Sequence, residues 1–165
     1  LSKFILAHSS PVISSGQNST LPFIFHMPTL FEEAVAGWMH RSFSGRVVVK
    51  RQWSIPLKGF NSLCFKIDLA LLAKETLQPL VIFDTKYKAD RNPSTSDVHQ
   101  VASYAVETGA RQAVLLYPQK NIDHTEFFVG PIKVQTLGFD FQKTDWSDIA
   151  LDIYNFVDSL IKTHK

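Results

Sequence analysis

The stretch PLVIFDTKYK, residues 79–88, decides the fold. In it the apolar residues Leu80 to Phe83 run straight into Asp84, Thr85 and Lys86. A short continuous apolar run that ends in charge reads as a buried strand opening on a site. Side chains alternate along a strand, so Asp84 and Lys86 fall on one face and Thr85 on the other. Upstream, CFKIDLALLA, residues 64–73, is a second strand-like run with a single acid, Asp68, among apolar neighbours. A carboxylate there is costly unless something cationic meets it. If the two runs pair as a hairpin through residues 74–78, Asp68, Asp84 and Lys86 converge at one end of a sheet. Two carboxylates and a lysine so placed point to a divalent-metal hydrolase. The plainer reading of Asp68 is a local ion pair, with Lys66 on the same face to balance it.

The segment LFEEAVAGWMHR at 30–41 is followed by KIDLAL at 66–71, VIFDTKYK at 81–88 and DVHQVASYA at 97–105. Asp68 followed by Asp84-Thr85-Lys86 resembles the PD-(D/E)xK nuclease superfamily, whose signature is an acid, a variable gap and an acid-x-Lys triplet. The four blocks in this order resemble the McrC-like family, the nuclease subunit of 5-methylcytosine restriction systems, over residues 29–118. Ile67 stands where the wider signature has Pro, and the triplet is D-x-K rather than E-x-K; both variants occur in McrC-like sequences.

This resemblance implies an α/β fold with a restriction-endonuclease-like core: a mixed sheet flanked by helices in the order α-β-β-β-α-β, with a C-terminal helix. It implies metal-dependent hydrolysis of DNA phosphodiesters. Asp68, Asp84 and the backbone carbonyl of Thr85 would hold Mg²⁺, with Mn²⁺ able to substitute, because hard oxygen donors suit that ion. Glu32 would join them from the first core helix, with Glu33 as the alternative. Lys86 would orient or deprotonate the attacking water and stabilise charge on the phosphate. Gln100 would help orient the water or the lysine, and Tyr104 four residues on would wall the site. Lys50, Lys88, Arg91 and Tyr104 are the candidate nucleic-acid contacts. McrC-like proteins also carry an N-terminal region that engages a nucleotide-hydrolysing ring motor. Nothing here corresponds to that region, so the chain reads as the nuclease portion or as a relative with another GTP- or ATP-hydrolysing partner. A homodimer stays open.

The bulk properties agree with one domain. The 165 residues allow a single domain with a proper core, and 45% hydrophobic against 19% charged residues is an ordinary globular balance. A net charge of +2 gives no support for a broad DNA-binding surface, so basic groups would have to act locally. The single Cys64 excludes an internal disulfide and a cysteine-rich zinc site, and it fits a reducing cytoplasm. No apolar run reaches membrane-spanning length. Phosphate-binding Gly-rich loops are absent, so nucleotide hydrolysis falls to another subunit. The first residue is Leu, which suggests a larger parent protein.

Along the chain, residues 1–28 read as a linker or edge segment and 29–165 as the nuclease domain. Thr29 with Glu32 forms a capping-box pattern for a helix to about Ser42 that buries Phe31, Val35, Trp38 and Met39. A Val-rich strand, residues 46–55, follows and alternates less cleanly after Lys50. Ser94 or Ser96 caps a helix over 97–107 that Gly109 closes, its buried face built from Val98, Val101, Ala102, Ala105 and Val106. QAVLLYP at 112–118 is a buried strand, parallel to its partner because a helix intervenes. His124 and Glu126 read as a surface pair in a peripheral hairpin or two edge strands, and a last amphipathic helix, capped by Asp145 or Ser147, includes Ile149, Ile153, Phe156, Val157, Leu160 and Ile161. The rival reading from another class is a nuclease fold that docks a motor or nucleic acid without cutting.

Overall fold

The computed structural model describes residues 25–57, 59, 63–88, 92–118, 125–140 and 150–163. Most of the 1–28 segment, Arg91, His124, Asp145, Ser147 and Ile149 lie outside the described residues. In chain order the elements are α1 (Met27–Phe43), β1 (Val47–Pro56), β2 (Cys64–Ala73), β3 (Pro79–Thr85), α2 (Thr95–Thr108), β4 (Gln112–Tyr117), β5 (Glu126–Val129), β6 (Ile132–Gly138) and α3 (Leu151–Thr163). The strands form one sheet in the order β1-β2-β3-β4-β6-β5. The expected α-β-β-β-α-β order and closing helix are both present.

The run at 80–84 is buried throughout, as a strand covered on both faces must be. β1, β2 and β3 pair antiparallel, β3 pairs β4 in parallel, and β4 pairs β6 in parallel. Each face of the sheet carries its own core. On one face Phe31, Val35, Trp38 and Met39 of α1 and Ile153, Val157, Leu160 and Ile161 of α3 meet Val81 and Phe83. On the other, Val101, Tyr104 and Ala105 of α2 meet Ile67, Ile82 and Leu115.

Three local expectations need correction. α1 starts at Met27, with His26 as its N-cap residue and Pro28 in the first positions; Thr29 is inside the helix, and its Oγ1 lies 2.8 Å from His26 Nδ1. Proline has no N–H to satisfy and a helical φ, so the helix needs no Thr29 cap, and Glu32 and Glu33 fall past the first turn. Val106 is 64% exposed, whereas Tyr104 takes its place in the α2 core. The hairpin β5–β6 is peripheral only through β5: β6 lies inside the sheet, hydrogen-bonded on both sides.

The β2–β3 connection closes with Ala73 N–H donating to Gln78 O at 2.9 Å and Leu77 N–H to Ala73 O at 2.9 Å. Leu77 pays for this turn with φ 56°, the left-handed region where a side chain is strained, and it is 58% exposed. Leu77→Gly is expected to gain about 1 kcal/mol, raising the melting temperature by roughly 2–4 °C in a thermal melt.

Candidate active site

β2 and β3 part company at the acids. Their last paired rung on this side is Leu69 with Phe83, so Asp68 and Asp84 stand just beyond it. From there β3 keeps only its β4 side, Lys86 N–H donating to Leu116 O at 2.7 Å. The β2 side is taken over by a side chain: Asp68 Oδ2 accepts the Thr85 N–H and the Thr85 hydroxyl, each at 2.8 Å. The fork therefore places both carboxylates at the C-terminal end of β3, beside the parallel pair β3/β4, where open α/β sheets hold their ligands.

Asp84 is 2% exposed, and its Oδ2 lies 2.6 Å from Lys86 Nζ as an ion pair but receives no well-directed hydrogen bond. Burial first, and then the neighbouring Asp68 charge, push its carboxyl up to about 6 against the pull of Lys86. Lys86 Nζ also donates to Gln100 Oε1 at 3.0 Å and lies 3.5 Å from Asp97 Oδ1. Burial alone would lower its ammonium, but the close pairing with Asp84 and the charge of Asp97 raise it. Gln100 is fixed in turn by donating from Nε2 to the Tyr104 hydroxyl at 2.8 Å.

Glu32 reaches the same neighbourhood from α1. Its carboxyl is raised by burial, against a hydrogen bond from Gln52 and with added repulsion from Asp68. Glu33, one residue on, is ion-paired with Arg51 at the surface. Asp68, Asp84, Lys86, Gln100 and Glu32 thus come together. The candidate nucleic-acid contacts do not join them equally. Lys88 Nζ is held by both Asp97 oxygens at 2.7 Å, and Lys50 Nζ stands 4.4 Å over the Trp53 ring. Tyr104 is 6% exposed and packs its ring against Phe65 at 5.1 Å, which makes it a wall and leaves it little surface for nucleic acid.

Among the described residues no three His, Cys, Asp or Glu side chains gather as a metal cage. Mg²⁺ does not ask for one, since it is commonly held by one or two carboxylates with waters and phosphate oxygens. Asp68 and Asp84 supply that number, and the buried Asp84 Oδ2, already beside the Lys86 ammonium, is an oxygen in a place that favours positive charge.

The profile of the McrBC 5-methylcytosine restriction system component matches residues 1–118. The chain belongs to this family. Among solved structures, a chain of the half-complex of Thermococcus gammatolerans McrB AAA+ hexamers with bound McrC shares the fold, with TM-score 0.65 and 18% identity. The alignment covers 85% of this chain but only 34% of that one. No curated protein matches. No helix among the described residues is long and apolar enough to cross a membrane.

In this McrBC-family chain, sequence reasoning missed Asp97 as a site residue. Burial would raise its carboxyl, but hydrogen bonds from Lys88 and Ser94 outweigh that and bring it down to about 2. The signal was present: Asp97 opens the D-x-x-Q helix, and Lys88 lies two residues past Lys86. A depressed carboxyl stabilises the fold above its ordinary value of 3.8, and that contribution is lost as pH falls towards 2. Lys88 is 42% exposed. Its charge is therefore screened, which limits the contribution to about 1 kcal/mol. Asp97→Asn is expected to melt lower at pH 7 and to lose less stability than the parent between pH 4 and pH 2, as thermal melts across that range would read.

Proposed function

We propose that this chain is the nuclease region of a McrBC-type system and hydrolyses DNA phosphodiesters with Mg²⁺ or Mn²⁺. The observation that carries the reading is the fork at which Asp68 and Asp84 leave the sheet with Lys86 paired to Asp84. Asp68, Asp84 and the Thr85 carbonyl, with Glu32 nearby, would hold the ion. When bound, the ion would polarise the scissile phosphate and acidify a water.

The protein's own groups do the rest. Lys86 is surrounded by Asp84, Gln100 and Asp97, so it is held as an ammonium and aimed as a donor. It orients the attacking water and meets the charge that grows on the phosphate. Gln100, held by Tyr104, limits the lysine to one arrangement, and preorganisation of this kind lowers the barrier. Lys88, paired with Asp97 but 42% exposed, would meet the DNA backbone only by sharing its ammonium with that carboxylate. By analogy with the McrB–McrC assembly, an AAA+ ring motor would deliver the DNA, in the cytoplasm.

Incubation of supercoiled plasmid with Mg²⁺ or Mn²⁺, with and without a cognate AAA+ motor, tests this reading. Nicked or linear DNA that disappears on chelation is expected. Cutting indifferent to chelator would sink the metal mechanism. Absence of both cutting and calorimetric Mn²⁺ uptake would leave the non-catalytic docking reading.

A further inference from the structure

Gln52 lies in the middle of β1, yet its φ is 45°, in the left-handed region. Residues other than glycine enter that region rarely, and inside a strand only where something else holds them. The β1–β2 ladder runs on either side of it, Arg51 opposite Leu69 and Trp53 opposite Ile67, and skips the rung where Gln52 faces Asp68. The Gln52 amide Nε2 donates instead to Glu32 Oε1. Its neighbour Arg51 donates to Glu33, so two consecutive β1 residues clasp the two consecutive acids of α1. The clasps differ in charge. Arg51 neutralises Glu33, whereas a carboxamide fixes Glu32 and leaves its negative charge for a cation.

We propose that Gln52 is a positioning residue that holds the Glu32 carboxylate towards Asp68 in the metal site. The inference rests on the nuclease reading and adds a part to it: the distorted rung opposite Asp68 is the device that lets β1 reach α1. Gln52→Gly separates the two roles, because glycine accepts φ 45° without strain while the side chain that carries the amide is lost.

Mn²⁺ titration calorimetry and thermal melts on the full chain and on Gln52→Gly, Glu32→Ala and the double variant form the test. The expected result is that Gln52→Gly melts no lower than the parent but binds Mn²⁺ about tenfold more weakly, as loss of a ligand's supporting partner commonly does. The double variant should bind no more weakly than Glu32→Ala, because both changes remove one unit. Parent-like Mn²⁺ affinity in Gln52→Gly, or losses that simply add, would overturn the positioning role while leaving the nuclease reading intact. A parent that takes up no Mn²⁺ overturns both.

Discussion

Lys86→Ala is expected to lower metal-dependent DNA cleavage by about 10³-fold or more, the scale of losing a donor preorganised for transition-state charge. The effect should fall on turnover rather than on DNA affinity, since Lys86 is turned inward to Asp84, Asp97 and Gln100. The same substitution removes the cation that pairs with a 2% exposed carboxylate. Breaking such a pair commonly costs about 3 kcal/mol or more when the survivor stays charged.

Asp84 has a way to reduce that cost. Its carboxyl is already raised, by burial and by Asp68, to about 6, and losing Lys86 raises it further. A carboxyl raised in the fold above its ordinary value of 3.8 destabilises at high pH and is relieved as pH falls through the folded value. Chelated Lys86→Ala should therefore trail the parent most at pH 8 and approach it near pH 5. Asp84→Asn in the same background should recover stability at pH 8 without recovering cleavage. A pH-independent deficit, or cleavage that survives Lys86→Ala, would contradict this account.

The site was legible where chemistry follows from spacing along one strand. Asp84 and Lys86 had to share a face, and the apolar run before them had to be buried. Gln100 was legible only through the family resemblance of the D-x-x-Q-x-x-x-Y text, since helical spacing places it beside Tyr104 but gives it no role. Asp68 against Thr85 was not readable, since it depends on two strands diverging after the Leu69–Phe83 rung. Gln52 left only a faint trace, the poor alternation after Lys50, because no residue type announces a left-handed φ inside a strand. The place of β6 beside β4 was likewise hidden: a hairpin pattern fixes which strands are neighbours in sequence but not where the pair joins a sheet.

Phe139→Ala tests a dependence that the sequence resemblance does not reach. The family match ends at residue 118, whereas Phe139 follows β6 and is 0% exposed. Its ring meets Trp38 at 5.6 Å and Phe31 at 6.3 Å, both edge-on, so it is the plug between the sheet and α1. Truncating a fully buried Phe costs about 3–5 kcal/mol through lost transfer energy and the cavity left behind. For a chain of this length that lowers the melting temperature by roughly 10 °C. Phe128→Ala, at a residue 68% exposed on β5, is the control and should shift stability by no more than about 0.5 kcal/mol. Phe31 is the residue before Glu32, so loosening α1 also loosens the acid that faces Asp68. Mn²⁺ affinity should therefore weaken in Phe139→Ala even well below its melting temperature, and an unchanged affinity would show that α1 is held at the site by β1 alone.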